Sequence, residues 1–151
     1  MLTGDIKNQI DRIWDAFWSG GISNPLEVIE QITYLLFLKR LDDLHSNAEN
    51  KAARTKQPIE HRVFPAGKDA RGRPYEDFRW SRFQHFPPAD MHALIADHVF
   101  PWLRTLGADG STYAHHMKDA RFTIPTPALL AKAVDLIAAV PMEERDTKGD
   151  V

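Results

Sequence analysis

The sequence predicts a mainly α-helical domain, a compact bundle of five or six helices with a small irregular or β-hairpin insertion around residues 60–82. Apolar residues recur at helical spacing in three stretches of the 151-residue chain, which is typical of helices that bury one face. At two places a proline follows a helix-capping residue, as it does at many helix starts. Only the insertion carries strand-like runs, and a single hairpin does not make an α/β protein.

The first helix is predicted close to the N-terminus, with Thr3 or Asp5 near its start. Its apolar stripe consists of Ile6, Ile10, Ile13, Trp14 and Phe17. Gly20 and Gly21 end it and turn the chain. Trp18 falls off the stripe, so we expect Trp18 to face a partner and Trp14 and Phe17 to pack in the core.

The second helix, Asn24 to Leu44, is the most apolar part of the chain. Its first residue can cap a helix, and Pro25 suits the first helical position. The run Tyr34–Leu38 makes the helix apolar on nearly every side, and such a helix is enclosed by other elements. We expect its charged end, with the adjacent carboxylates Asp42 and Asp43, to be solvated. The polar, Ala-rich continuation to about residue 57 fits either an exposed helical extension or a loop.

Residues 58–87 form the irregular part. Arg62–Phe64 and Tyr75–Trp80 fit two short strands, and Ala66–Gly72 between them has turn composition. In Phe78–Phe83 basic and aromatic residues interleave, an arrangement that can bind nucleic acid. The strict alternation favours instead a half-buried strand that buries its rings and exposes its arginines.

Two helical regions are predicted after the insertion. Met91–Leu106 fits a stripe over four turns, and Pro101 within it must kink the helix or start a new one. Ser111–Lys118 can form a short helix. Thr126 caps and Pro127 opens the last helix. Its apolar stripe consists of Leu130, Ala133, Val134 and Ile137.

Charge is unevenly distributed along the chain. The formal net charge is -2, yet residues 51–82 hold nine Lys/Arg against four Asp/Glu. Such segregation marks either a partner surface or a solvated insertion. If it is a surface, the candidate nucleic-acid or partner contacts are Lys68, Arg71, Arg73, Arg79 and Arg82, together with Trp18.

Composition and motifs argue against several functions. The chain has no cysteine, which excludes disulfides, thiolate metal sites and a Cys nucleophile. No apolar run approaches the ~20 residues of a membrane span, and no secretory signal is visible, so we expect a cytoplasmic protein. Phosphate-binding glycine motifs and H-E-x-x-H are missing. A small hydrolase using His and Asp remains a weak hypothesis, because no nucleophile–base pair follows from the spacing. We expect no metal, cofactor or catalytic residue here.

Five sequence blocks follow one another in a recognisable order: Ile10–Trp14, Pro25–Asp43, Phe78–Ser81, Val99–Leu106 and Arg145–Val151. Together they span nearly the whole chain, and Tyr34–Asp43 and Asp146–Val151 are the most specific parts. This ordered set resembles the N-terminal helical domain of the M (modification) subunit of type I restriction–modification systems.

The resemblance implies that residues 1–140 are a helical N-terminal domain and residues 141–151 a linker leading into a methyltransferase domain absent from this chain. It implies that the full-length subunit is an S-adenosylmethionine-dependent adenine-N6 DNA methyltransferase. The family's N-P-P-F/Y motif and its cofactor motif are missing here, so this fragment is expected not to be an enzyme alone. The implied partners are the specificity subunit, a second M subunit, the restriction subunit and double-stranded DNA. The alternative is a free-standing helical nucleic-acid-binding or regulatory module.

Overall fold

The structure is a computed structural model that describes residues 2–59, 63–106 and 118–140. Its α-helices in these ranges are α1 (Leu2–Ser19), α2 (Pro25–Thr55), α3 (Trp80–Phe83), α4 (Pro88–Leu94), α5 (Phe100–Leu106) and α6 (Pro127–Ala138). A 3₁₀ turn, Tyr75–Phe78, precedes α3, and a π turn, Ile95–Val99, joins α4 to α5. With α4, the π turn and α5 counted as one run, the described ranges hold five helices. The predicted mainly α fold is confirmed.

Both predicted capping motifs form. The Asn24 side chain accepts a hydrogen bond from the Leu26 backbone N–H at 2.9 Å, and the Thr126 hydroxyl accepts one from Leu129 N–H at 3.1 Å. A proline occupies the first turn of each helix, where its missing N–H costs nothing. The starts of α2 and α6 are therefore encoded locally.

The glycine pair after α1 does two different things. Gly21 has a φ of +104°, a backbone conformation that other residues rarely adopt. Gly20 lies so close to α6 that a Cβ at this position would be 2.6 Å from Leu129 Cδ2. One glycine therefore makes the turn, and the other permits the packing of α1 against α6.

α2 is longer and less enclosed than predicted. It runs 31 residues to Thr55, so the Ala-rich continuation is helix rather than loop. Its buried residues lie three or four apart on one stripe: Val28, Gln31, Leu35, Leu38, Leu41, Asp42 and His45. On the opposite side Leu26, Ile29 and Leu44 are 72%, 49% and 41% exposed. The prediction of a helix enclosed on nearly every side is wrong, because its apolar residues exceed what its neighbours cover.

The insertion is not a β-hairpin where the structure describes it. Between residues 63 and 106 the β structure is limited to one isolated antiparallel bridge, Lys68 with Pro74. The strand predictions for Tyr75–Trp80 and Phe78–Phe83 are wrong, since these residues form the 3₁₀ turn and α3. Phe78, Arg79 and Trp80 are all buried, and three consecutive buried side chains cannot belong to a half-exposed strand.

Pro101 is predicted to kink its helix or to start a new one, and in the structure α5 begins one residue before it, at Phe100, directly after the π turn. Pro101 has no N–H for the carbonyl one turn earlier, and its ring crowds that carbonyl. The preceding π turn widens the helix there, with Phe100 N–H donating to the Ile95 carbonyl. The apolar stripe is nevertheless kept, because the following residues are buried along the whole run: Met91, Leu94, Ile95, Val99, Trp102 and Leu103.

α6 packs against α4, α1 and α2. Its predicted stripe is fully buried, and Phe17, Phe64, Phe78, Phe83 and Phe100 complete the core with their rings. None of the helices in the described ranges is long and apolar enough to cross a membrane. The predicted short helix at residues 111–118 lies almost entirely outside the described residues, and the predicted linker at 141–151 lies wholly outside them.

Candidate functional site

Arg79 is buried, although the sequence predicts it among the surface contacts. The residue is 7% exposed, and its Nε lies 2.5 Å from Asp42 Oδ1 on α2. The guanidinium also binds Glu49 at 3.1 Å and Glu76 at 3.0 Å, and it donates to Ser46 Oγ at 2.8 Å. In this fold Arg79 joins the insertion to α2 and is not accessible to a nucleic acid.

Burial would lower the pKa of the Arg79 guanidinium, but its hydrogen bonds and charge interactions with Asp42, Glu76 and Glu49 together outweigh burial, and the pKa is raised. Asp42 is itself 5% exposed, and its other oxygen accepts the Ser81 backbone N–H at 2.8 Å. The predicted solvated carboxylate at position 42 is therefore wrong. Its charge is buried because Arg79 pairs with it, as buried charges generally require.

Two more of the candidate cations share one carboxylate. Arg73 lies 3.2 Å from Asp77 Oδ2, and Arg82 lies 3.2 Å from Asp77 Oδ1. The Arg73 guanidinium also lies over the Phe86 ring, 5.6 Å from its centroid. Asp77 thus offsets part of the positive charge that the sequence shows in this region.

Lys68 and Arg71 remain exposed on the turn Gly67–Gly72, which we call the basic turn. Asp69 organises it: Oδ1 accepts the backbone N–H groups of Arg71 at 3.0 Å and Arg73 at 2.8 Å. Its Oδ2 lies 2.7 Å from Nδ1 of His98, on the π turn. The backbone of Asp69 bonds Arg73 as well, at 2.9 Å. The two cations are therefore presented by a braced turn.

Gly67 and Gly72 bound the basic turn with φ values of +91° and +85°. These conformations suit glycine because a Cβ would strain the backbone. Burial would raise the pKa of the Asp69 carboxyl, but the hydrogen bonds from His98 and from the amides of Arg73 and Arg71 outweigh it and lower the pKa. Asp69 thus favours its charged form, in which it accepts all three bonds.

Trp18, the remaining candidate contact, is 45% exposed near the end of α1. Phe17 beside it is fully buried, and Trp14 packs against the core, in line with the predicted stripe. The ring of Trp18 is therefore available to a partner. A contact role for Trp18 stays a prediction, as it does for Lys68, Arg71, Arg73 and Arg82.

Sequence reasoning missed several polar residues that organise the fold. On one face of α2 lie three polar residues at spacings of four and three, Asp42, Ser46 and Glu49, and this spacing is visible in the sequence. Their common partner Arg79 could not be found in the same way, because it lies 30 or more positions further along the chain. Gln31 is 2% exposed within the apolar helix. Its amide donates to the Arg121 carbonyl at 2.9 Å and accepts the Thr123 N–H at 3.1 Å, which fixes the segment before α6.

Histidines do not form a metal centre in the ranges described. His98 bonds Asp69, His92 lies 3.0 Å from the Ile124 carbonyl, and His45 Nδ1 accepts the Phe64 N–H at 3.3 Å. Among residues 2–59, 63–106 and 118–140, no group of three or more His, Asp or Glu side chains is placed to hold a metal ion.

The fold and this site define a mainly α-helical domain in which buried ionic and amide contacts tie the segments before α3 and α6 to the longest helix, while His98 on the π turn braces a cation-bearing turn. Comparison with protein families matches residues 6–137 to the HsdM N-terminal domain. The chain belongs to this family, the N-terminal domain of the M subunit of type I restriction–modification systems. No curated protein and no solved structure matches the chain.

Proposed function

We propose that this domain helps to assemble a type I modification complex and to close it around double-stranded DNA. The observation that supports DNA contact is the basic turn, where Lys68 and Arg71 are exposed and Asp69 and His98 brace the backbone. Each phosphate contact adds affinity that depends on salt and not on sequence. Base identity would be read elsewhere in the complex.

The larger subunit is proposed to be an S-adenosylmethionine-dependent adenine-N6 DNA methyltransferase that works in the cytoplasm. Its catalytic and cofactor residues would lie in a following domain, so none is assigned to this chain. The proposal requires that the gene continue past Val151 into a domain with an N-P-P-F/Y motif. Sequencing of the downstream codons tests this, and a stop codon at that point would remove the main support.

The apolar outer face of α2 supports a role in assembly. Leu26, Ile29 and Leu44 are exposed on the side opposite the buried stripe, and exposed apolar faces commonly mark protein interfaces. Changing Leu26 and Ile29 to serine should leave the stability of the domain nearly unchanged and weaken its association with the other subunits. Ile10→Ser is the matched control, since Ile10 is 43% exposed on another helix. Equal effects of both changes on association would contradict a role for this face.

The proposed binding of DNA is tested by measuring the affinity of the assembled complex for duplex DNA over a range of salt concentrations. For Lys68→Gln and Arg71→Gln, the slope of log K against log salt should fall by about 0.9 for each phosphate that is no longer neutralised. Lys132→Gln on α6 is the control, because it removes an exposed cation elsewhere. Unchanged slopes would refute the contact. Strong, salt-dependent binding by the isolated chain would favour the free-standing module instead.

A further inference from the structure

A cleft opens beside the basic turn, between that turn and the start of α5. Its volume is about 210 Å³, below the ~300–1,000 Å³ that accommodates a drug-sized ligand, so it suits a single ring system. Rings form much of its wall and charged groups stand at its edge. Five of its lining residues bear on ligand binding: Arg71, Tyr75, Asp97, Pro101 and Trp102.

The rings of this cleft belong to a fixed aromatic cluster. Tyr75 packs edge-on against Phe78, with ring centroids 5.1 Å apart, and Phe78 packs in the same way on Trp102 at 5.7 Å. Trp102 stacks on Phe64 at 5.1 Å. Trp102 is only 7% exposed, so a flat ligand would meet mainly the half-buried Tyr75 ring. Because core neighbours hold that ring in place, little side-chain entropy would be lost on binding.

Besides His98, three charged side chains line the cleft: Asp69, Arg71 and Asp97. Both oxygens of Asp69 are already bonded by the turn amides and His98. Arg71 is exposed on the basic turn, and it forms no ion pair with another described residue, so its guanidinium can take a phosphate. Asp97 is exposed on the π turn, and an ionised carboxylate only accepts hydrogen bonds. It would therefore favour bases with an amino group, such as adenine or cytosine, over thymine.

We propose that this cleft binds a nucleotide, with the base against the Tyr75 ring and the phosphate on Arg71. The same chemistry is offered by an unstacked nucleotide of a DNA strand and by a free nucleotide. If the bound nucleotide belongs to a DNA strand, the inference rests on the proposed function, because Arg71 lies on the turn that is proposed to bind the DNA backbone. Stacking of bases on aromatic side chains with a nearby cation is how proteins commonly bind single strands.

The first measurement titrates the chain with small probes and follows backbone amide NMR shifts. Adenosine monophosphate should shift residues around Tyr75 and Trp102, and thymidine monophosphate should bind several-fold more weakly. Ribose 5-phosphate, which lacks the base, should shift these residues little. Equal binding of ribose 5-phosphate and adenosine monophosphate, shifts confined to another part of the chain, or no shifts would overturn the proposal.

Three variants separate binding from structure. Tyr75→Leu should weaken adenosine monophosphate binding about ten-fold, within the range measured for base–aromatic stacking, while Trp18→Leu removes an exposed ring elsewhere and should not. Arg71→Gln should weaken adenosine monophosphate and leave adenosine unchanged, a split that general destabilisation cannot produce. Asp97→Asn should reduce the preference over thymidine monophosphate. If Tyr75→Leu binds as the wild type does, the cleft is not the site.

DNA probes then distinguish the two sources and the two proposals. If oligodeoxyadenylate binds more tightly than adenosine monophosphate, and this binding is lost in Tyr75→Leu, the source is a DNA strand. Adenosine monophosphate bound more tightly than the oligonucleotide identifies a free nucleotide. Duplex binding by the assembled complex that depends on Lys68 and is unaffected by Tyr75→Leu, together with no mononucleotide binding by the chain, refutes the cleft and keeps the proposed DNA contact. If mononucleotide binding is lost in Tyr75→Leu and the duplex affinity of the complex is unchanged in Lys68→Gln, the cleft is supported and the proposed DNA contact of the basic turn is refuted.

Discussion

Replacement of Arg79 by methionine tests whether the buried ion pair with Asp42 holds the insertion against α2. Methionine keeps an apolar stem of similar length and removes the charge. The change would leave Asp42, 5% exposed, without its partner, and breaking a buried pair in this way typically costs about 3–5 kcal/mol. The bonds to Glu49 and Glu76 add little, because these side chains are 43% and 45% exposed and exposed pairs contribute about 0–1 kcal/mol.

The predicted loss is a large share of the stability of an ordinary domain, which is about 5–15 kcal/mol. Urea unfolding followed by circular dichroism at helix wavelengths measures it directly. Arg82→Met is the matched control: it removes the same charge from a side chain that is 56% exposed in its pair with Asp77, and it should cost about 1 kcal/mol or less.

A double-mutant cycle isolates the pair from other effects of each change. Arg79→Met combined with Asp42→Leu should be clearly less destabilised than the sum of the single variants, because the second change removes the uncompensated charge. A loss below about 1 kcal/mol for Arg79→Met, or additive single variants, would refute the reasoning. The insertion would then be held by its aromatic residues, and the ionic contacts would be incidental.

Three further predictions follow from buried contacts. Gly20→Ala should destabilise the domain by about 1–3 kcal/mol in urea unfolding, because its Cβ would overlap Leu129. Gln31→Leu should cost about 1–3 kcal/mol, since two backbone groups before α6 lose their partner. The folded-state pKa of Asp69 lies below its ordinary value of 3.8, so its carboxylate stabilises the fold above that pH. The stability advantage of the wild type over Asp69→Asn should therefore shrink as the pH falls below 3.8.

Each of these has a control. Ala139→Gly, at an exposed position after α6, should change stability far less than Gly20→Ala, and equal effects would contradict the packing argument. Gln57→Leu, at an exposed position after α2, should change the free energy of unfolding far less than Gln31→Leu does. For Asp69, a stability difference from Asp69→Asn that does not change between neutral and acid pH would contradict a lowered pKa in the folded state.

Sequence signals predicted helix starts, ends and buried stripes correctly where one short stretch of chain contains all the residues that cause the feature. Asn24–Pro25 and Thr126–Pro127 predicted helix starts because cap and proline act on the adjacent turn. Gly21 and Pro101 marked a helix end and a break for similar reasons. The spacing of Leu130 and its neighbours on α6 was enough to predict a buried stripe, since any helix with that pattern must bury it.

Alternation in Phe78–Phe83 predicts a strand whose arginines face water, and for Arg79 this prediction is wrong. Arg79 is buried, and that depends on carboxylates of α2 that are far away in the sequence and close only in the folded chain. The charge excess of residues 51–82 was a fact of composition. In the folded chain Asp42 pairs with the buried Arg79, and Asp77 pairs with Arg73 and Arg82. Lys68 and Arg71 lie exposed on the basic turn.

The sequence by itself determined that this protein is a helical domain, where α1, α2 and α6 begin, which apolar stripe α6 buries, and which family the chain belongs to. These properties depend on neighbours within a few residues or on the order of short blocks. The tertiary structure alone decided which side of α2 is covered, that Arg79 and Asp42 form a buried pair, and that an aromatic cleft lies beside the basic turn. Those features depend on side chains brought together from distant positions, and their burial and charge follow only from that proximity.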